Sequence, residues 1–142
     1  MNLKSPITGT VLSLESVPDP VFSSYMLGPG LAIHPEVHDG MLTLHSPFEG
    51  EITSVRRHAV IVNGCLVHAG IDTYNSEALT ALVLEGDVVE VGTPLISVDL
   101  EKLGELSSTV ILTFPQKGLH SWKQTVEPGT QVSVGEVLGS IA

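Results

Sequence analysis

Two pairs of similar segments, here called echoes, constrain the fold of this chain more than any other feature of its sequence. "SPITGTV" (residues 5–11) resembles "SPFEGEI" (residues 46–52), and "EGDVVEVGTPLISV" (residues 85–98) resembles "PGTQVSVGEVLGSI" (residues 128–141). Ser5 lies 41 residues before Ser46, and Gly92 lies 43 residues before Gly135. Two copies are too few for a solenoid, so the echoes predict a duplicated β unit folded about a pseudo-two-fold axis.

The composition agrees with an all-β chain. Hydrophobic residues make up 42% of the sequence and charged residues 15%, and 14 glycines and nine prolines punctuate short apolar runs. Many short strands joined by Gly- and Pro-containing turns are typical of a sandwich or barrel. The length of 142 residues fits one domain, residues 1–142. Strands are predicted at residues 9–14, 31–34, 41–45, 50–55, 58–62, 65–71, 95–98, 108–112, 131–132 and 137–141.

Helical signals are few. "VDLEKLGEL" (residues 98–106) predicts a short helix with Asp99 as its N-cap and Gly104 as its limit. "NSEALTALV" (residues 75–83) has helix-like spacing of its apolar residues. "PDPVFSSYML" (residues 18–27) begins with two prolines and is predicted to be a loop with at most one turn.

Charge and cysteine content narrow the function. Six Lys and Arg against 16 Asp and Glu give a net charge of −10, which argues against nucleic-acid binding. An acidic surface suits a partner with a basic face. The single cysteine excludes an internal disulfide and agrees with a reducing compartment. No apolar signal core or membrane-length run occurs, so we expect a cytoplasmic protein that does not span a membrane, and Met1 favours a free-standing one.

The stretch "RHAVIVNGCLVHAGIDT" (residues 57–73) predicts a β-hairpin that carries two histidines. A two-residue Asn63-Gly64 turn would pair Val62 with Cys65 and place His58 and His68 on opposite faces. A three-residue loop would pair Ile61 with Cys65 and place His58 directly opposite His68. Asn-Gly favours the shorter turn, and the apolar strands do not decide between the two.

In the second register, period two defines the face that the histidines share. That face would combine a cation, two imidazoles, aliphatic side chains and a carboxylate, which is the composition of a docking surface around reactive groups. Its members would be Arg56, His58, Val60, Leu66, His68, Gly70 and Asp72.

These residues resemble the glucose-type enzyme IIA family of the bacterial phosphoenolpyruvate:sugar phosphotransferase system. The resemblance lies in "LVHAGIDT" (residues 66–73), in "VPDPVFS" and in "HAVIV", and it extends over nearly the whole chain. It implies an antiparallel β-sandwich or barrel of the duplicated hybrid-motif type with short helical turns. It also implies that the histidines face each other, so we expect the three-residue loop.

The resemblance implies a role for each residue of this region. His68 would accept a phosphoryl group through Nε2, and His58 would stabilise that group; no cofactor would be needed. The donor would be the phosphohistidine of HPr and the acceptor a sugar-specific enzyme IIB domain, working with a membrane enzyme IIC. Anchoring of Nδ1 by a backbone carbonyl near Gly70 or Asp72 would fix the tautomer. Supporting residues would be Arg56, Gly70, Asp72 and Thr73, and partner-docking residues would be Val60 and Leu66.

The chain departs from the family in three places. Only nine residues separate His58 from His68, which shortens the hairpin tip. Arg56 stands where relatives often have a small hydroxyl residue, and its guanidinium is suited to phosphate. After Thr73 the usual apolar, Gly-rich stretch is replaced by "YNSEALTAL".

Two other functions remain open at this point. A regulatory protein derived from enzyme IIA would use the phosphorylation state of His68 to control a partner contact. A metal-binding protein would use His58 and His68 as zinc ligands, but a closed zinc site needs about four ligands, so we expect at most adventitious zinc.

Overall fold

The computed structural model describes all 142 residues, and most of its regular secondary structure consists of short antiparallel strands. They form one sheet of eight strands and two sheets of three. Two short α-helices, α1 (Pro20–Ser23) and α2 (Leu100–Leu103), and two 3₁₀ turns, Leu14–Ser16 and Leu119–Ser121, interrupt them. The strands are β1 (Asn2–Lys4), β2 (Gly9–Ser13), β3 (Gly30–Pro35), β4 (Met41–His45), β5 (Gly50–Val55), β6 (Ala59–Val62), β7 (Cys65–Ala69), β8 (Leu79–Ala81), β9 (Val88–Val89), β10 (Pro94–Asp99), β11 (Val110–Thr113), β12 (Trp122–Gln124), β13 (Gln131–Val132) and β14 (Val137–Ile141).

The sheet topology confirms the predicted duplication. The strand order of the large sheet is β13-β2-β3-β11-β7-β6-β5-β9, and its two halves mirror each other about the β11–β7 pair. The small sheets match in the same way, since β14 lies between β1 and β12, and β10 lies between β4 and β8. Strands β7 and β11 therefore lie next to the pseudo-two-fold axis, and His68 is on one of them.

The echoed serines make equivalent corners. The Ser5 hydroxyl donates to the carbonyl of Ile7 at 2.6 Å, and the Ser46 hydroxyl donates to that of Phe48 at the same distance. The Ser5 amide donates to the Glu136 carbonyl, as the Ser46 amide does to that of Thr93. Both serines are buried, so these bonds satisfy polar groups that water cannot reach.

Two groups of buried side chains sandwich the large sheet. The main core holds 28 residues drawn from the whole chain, from Leu3 to Ile141. A smaller group, here called the outer cluster, covers the other face of the sheet near its middle strands. Its members are Leu14, Val17, Phe22, Ala32, Ile71 and Ile111.

The helical predictions were partly right. Asp99 caps α2 by accepting hydrogen bonds from the amides of Glu101 and Lys102, and Gly104 follows its end with φ 63°. Segment 18–27 contains the single turn α1, with Asp19 as its N-cap.

The helix-like pattern at residues 75–83 was wrong, because part of it forms β8. Leu79 is buried and Thr80 is exposed, and both pair with β10. The edge of β10 offers ladder hydrogen bonds there that outweigh a weak helical preference.

Neither α1 nor α2, at four residues each, has the length that a membrane-spanning helix needs.

Candidate functional site

The hairpin of β6 and β7 has the two-residue turn, so the expected three-residue loop is wrong. Val62 pairs with Cys65, and Ile61 pairs with Leu66. Asn63 and Gly64 have φ angles of 49° and 76°. Two consecutive left-handed residues make a type I′ turn, whose twist matches that of the flanking strands and which Asn-Gly prefers.

This register changes which side chains flank the histidines. Val60 is fully buried in the main core, so its predicted role in docking is wrong. Ala59 and Ile61 occupy the outer face in its place, opposite His68 and Leu66. Leu66 does lie on the face of His68, as expected, where it packs against the outer cluster.

The two imidazole rings nevertheless meet, with their centroids 5.1 Å apart and their planes at 83°. The reason is that β6 begins at Ala59, so His58 lies in the bend before the strand and does not follow its alternation. Hydrogen bonds between Arg56 and Ala59 close this bend, and the His58 carbonyl accepts the amide of Ala69 at 2.7 Å. The rings therefore converge through a different backbone arrangement from the one predicted.

A backbone carbonyl anchors the His68 ring. Its Nδ1 lies 2.8 Å from the carbonyl oxygen of Gly70. A carbonyl only accepts hydrogen bonds, so Nδ1 is the nitrogen that carries the proton. Nε2 has no hydrogen-bond partner within the protein, so in the neutral ring its lone pair is available to bond to an electrophile.

The backbone after His68 turns sharply to present that carbonyl. Gly70 has φ 79°, and a Cβ there would lie 2.6 Å from the Ser107 carbonyl oxygen and 2.5 Å from Cγ2 of Thr73. Only glycine fits this position without displacing its neighbours. Asp72 is exposed with φ 58°, and the buried Thr73 donates its hydroxyl to the carbonyl of Ala69.

Burial keeps the His68 ring neutral. The loss of hydration on burial, followed by the charge of His58, lowers the pKa of His68 to about 4. The hydrogen bond to Gly70 and the carboxylates of Asp19 and Asp72 oppose this shift without reversing it. His68 is therefore a neutral nucleophile, unprotonated at Nε2, throughout the neutral pH range.

His58 is also held neutral. Burial lowers its pKa, and the nearby Arg56 guanidinium lowers it further. Arg56 is exposed, and its Nη1 donates to its own neighbour, the carbonyl of Val55, at 3.0 Å. The structure thus puts a fixed positive charge near the histidine pair without an ion-pair partner.

Sequence reasoning assigned no role to Phe22 or Asp19, which also belong to the site. The Phe22 ring packs edge-on against His68, with centroids 4.9 Å apart. Asp19 is the N-cap of α1 and contributes a carboxylate near His68. The signal that could have found them is the "VPDPVFS" motif, where a capping aspartate sets the position of an aromatic residue three places later.

The histidine pair is too small to form a closed metal site. No group of three or more His, Cys, Asp or Glu side chains is placed to hold a metal ion. His58 and His68 supply two nitrogens, and one nitrogen of His68 is already bonded to Gly70.

An all-β fold that presents one anchored, neutral histidine beside a second histidine is suited to a protein that carries a phosphoryl group on histidine. The comparison with known families identifies which kind. Residues 1–118 match the family described as phosphoenolpyruvate-dependent sugar phosphotransferase system, EIIA 1, and the chain belongs to this family. It is therefore a phosphoryl-carrying component of the sugar phosphotransferase system and works with other components of that system.

Individual relatives have names from the same phosphotransferase system. The glucose-specific EIIA component of Oceanobacillus iheyensis is 40% identical over 116 residues, a match that covers 75% of this chain and 68% of that protein. The beta-glucoside-specific EIIBCA component of Bacillus subtilis is 38% identical over 118 residues, which covers 77% of this chain and 19% of that longer protein. The solved structure of glucose permease IIA from Mycoplasma capricolum superimposes with a TM-score of 0.84 at 25% identity, covering 98% of this chain and 94% of that one.

Proposed function

We propose that His68 accepts a phosphoryl group on Nε2 from the phosphohistidine of HPr and passes it to a sugar-specific enzyme IIB domain. The observation that carries this proposal is the bond between Nδ1 of His68 and the Gly70 carbonyl, because it leaves a neutral Nε2 as the only nucleophilic nitrogen of the ring.

The transfer itself needs no cofactor. The Nε2 lone pair forms a bond to phosphorus while the bond from phosphorus to the donor's histidine nitrogen breaks, and that nitrogen keeps the electron pair. The proton on Nδ1 stays in its hydrogen bond to Gly70, where the developing positive charge of the ring meets the carbonyl oxygen. Since donor and product are both phosphoimidazoles, the step is close to thermoneutral, and catalysis consists of positioning and charge stabilisation.

His58 and Arg56 are suited to stabilise the transferred group. A neutral His58 ring beside His68 can donate one N–H to a phosphoryl oxygen. The Arg56 side chain is exposed and donates only to the neutral carbonyl of Val55. It can rotate to donate to a phosphoryl oxygen instead, because a hydrogen bond between two charged groups is stronger. Arg56 would then supply a positive charge that the small hydroxyl residue often found at this position in relatives cannot supply.

The carboxylates near the histidines are suited to a partner with a basic face. The carboxylates of Asp19 and Asp72 lie close enough to His68 to oppose the lowering of its pKa, so they put negative charge on the rim of the site, which also carries the positive charge of Arg56. A partner with a basic face would be attracted to these carboxylates, and in this proposal that partner is HPr. In this proposal the protein works in the cytoplasm, where HPr and the enzyme IIB domain meet it.

The test is intact-protein and peptide mass spectrometry after incubation with phosphoenolpyruvate, enzyme I and HPr. We expect one acid-labile phosphate on the His68 peptide and none in His68→Ala. His45→Ala is the matched control, because Nδ1 of His45 also faces a backbone carbonyl, that of Pro6 at 3.2 Å, but lies outside the site. Phosphate retained by His68→Ala, or lost in His45→Ala, would contradict the assignment.

The regulatory alternative is separated by adding an enzyme IIB domain. A carrier loses its phosphate to that domain within the assay. A protein that only signals its phosphorylation state would keep the phosphate and form a stable complex with its partner.

A further inference from the structure

We propose that Thr73 is a positioning residue that sets the tautomer of His68 through the backbone of residues 69–71. This inference rests on the proposed function, because it assigns Thr73 a part in preparing the nucleophilic nitrogen. Thr73 is only 1% exposed, does not hydrogen-bond to His68, and donates its hydroxyl to the carbonyl of Ala69.

Two consecutive peptide groups link Thr73 to His68. In the first, the Ala69 carbonyl accepts the Thr73 hydroxyl, and the Gly70 amide donates to the Thr109 carbonyl at 2.9 Å. In the second, the Gly70 carbonyl accepts Nδ1 of His68, and the Ile71 amide donates to the Ser107 carbonyl at 3.2 Å. All four polar groups of these peptides are therefore bonded.

This arrangement determines the direction of the Gly70 carbonyl. Gly70 has a left-handed φ of 79°, where glycine has several accessible conformations, so the residue does not set its own carbonyl direction. The four flanking hydrogen bonds set the direction of the Gly70 carbonyl, and three of the four use backbone or His68 atoms. The Thr73 hydroxyl is the one bond in the set that a side chain outside the histidine pair supplies.

The consequence falls on the His68 proton. With the Gly70 carbonyl in place, the neutral ring holds its proton on Nδ1 and keeps Nε2 free. If the carbonyl turns away, the ring loses this preference, and a proton on Nε2 blocks the lone pair that attacks phosphorus. Thr73 therefore acts on the chemistry by way of the backbone, without touching the phosphoryl group.

The test compares three variants by ¹⁵N NMR of the His68 ring at neutral pH and by the rate of phosphoryl acceptance from HPr. Thr73→Val keeps the shape of the side chain and removes the hydroxyl. Thr73→Ser keeps the hydroxyl and removes the methyl group that packs against Gly70. Thr113→Val is the matched control, since Thr113 is also buried but its hydroxyl has no partner.

We expect Thr73→Val to show a mixture of His68 tautomers and to accept the phosphoryl group about tenfold more slowly, which is less than the loss of about a hundredfold that misplacing a reacting group by about 1 Å can cause. Thr73→Ser should restore both properties, and Thr113→Val should match the wild type. If Thr73→Val does not fold, Thr73→Ala replaces it in the same comparison with Thr73→Ser.

Two results would overturn the inference. One is a wild-type tautomer ratio in Thr73→Val, and the other is an equal loss in Thr73→Val and Thr73→Ser, which would assign the effect to the packing of the side chain and not to its hydroxyl. A wild type that accepts no phosphate from HPr would instead refute the proposed function, while the tautomer measurement would still test Thr73 independently.

Discussion

Replacing Gly70 by alanine tests how strictly the site depends on the backbone after His68. At φ 79°, alanine pays the left-handed penalty of about 1–2 kcal/mol. Its Cβ would also lie 2.6 Å from the Ser107 carbonyl oxygen and 2.5 Å from Thr73 Cγ2, and relief of such overpacking costs roughly 1–3 kcal/mol more. We therefore expect Gly70→Ala to lower the free energy of unfolding by about 2–5 kcal/mol.

Gly64→Ala separates the two contributions. Gly64 has a similar φ of 76° at the hairpin turn, but a Cβ there would have no atom within 4 Å. Its cost is the left-handed penalty alone, about 1–2 kcal/mol. The difference between the variants then measures the contacts around Gly70.

The assay is urea unfolding of both variants, together with the rate of phosphoryl acceptance by the folded fraction. We expect Gly64→Ala to accept phosphate normally and Gly70→Ala to accept it slowly, since the carbonyl that anchors Nδ1 of His68 must shift. Equal destabilisation of the two variants, with normal acceptance by both, would refute the argument that the crowding around Gly70 matters.

Three further predictions concern single side chains. The pKa of His68 is about 6.5 in the unfolded chain and about 4 in the folded protein. Between these pH values the unfolded state binds an extra proton, so the free energy of unfolding falls by up to about 3 kcal/mol as the pH is lowered from 6.5 to 4. Unfolding measured as a function of pH should show this loss in the wild type and not in His68→Gln. His58→Gln keeps a hydrogen-bond donor but not the imidazole, so we expect it to accept phosphate from HPr and to transfer it poorly to an enzyme IIB domain; full onward transfer would remove His58 from the mechanism. Val60→Ala removes two buried methyl groups from the main core and should lower the free energy of unfolding by about 2 kcal/mol. The folded variant should accept phosphate at the normal rate. Slow acceptance would instead support the predicted role of Val60 in partner docking.

Much of the architecture could be predicted because it depends on repeated local signals. The Ser-Pro corners at Ser5 and Ser46 recur with the same hydrogen bonds, and their spacing alone indicated a two-fold arrangement. The strands β9 and β13 have two residues each, which is too short for a pattern of alternation; β13 was predicted and β9 was not.

The hairpin shows where the reasoning from sequence failed. Local turn chemistry favoured the Asn63-Gly64 turn, and the structure has it. The error was to assume that facing histidines require both residues to lie in paired strands. His58 reaches His68 from a bend, and no strand periodicity describes the direction of a side chain in a bend.

The surroundings of His68 were only partly accessible from sequence for a related reason. Its anchor, the Gly70 carbonyl, is local and could be anticipated. Phe22 approaches from 46 residues earlier in the chain, and that contact exists only because the outer cluster folds segment 14–27 over the sheet. A sequence motif can mark a segment that takes part in such tertiary packing, but the motif does not indicate which residue the segment will contact.

The most direct test of the central claim is to identify the phosphorylated nitrogen by ³¹P–¹⁵N correlation NMR, using protein with ¹⁵N-labelled histidine after phosphorylation by HPr. The structure predicts phosphorus on Nε2 of His68, with Nδ1 still protonated and bonded to Gly70. Phosphorus on Nδ1 of His68, or on any other histidine, would contradict it.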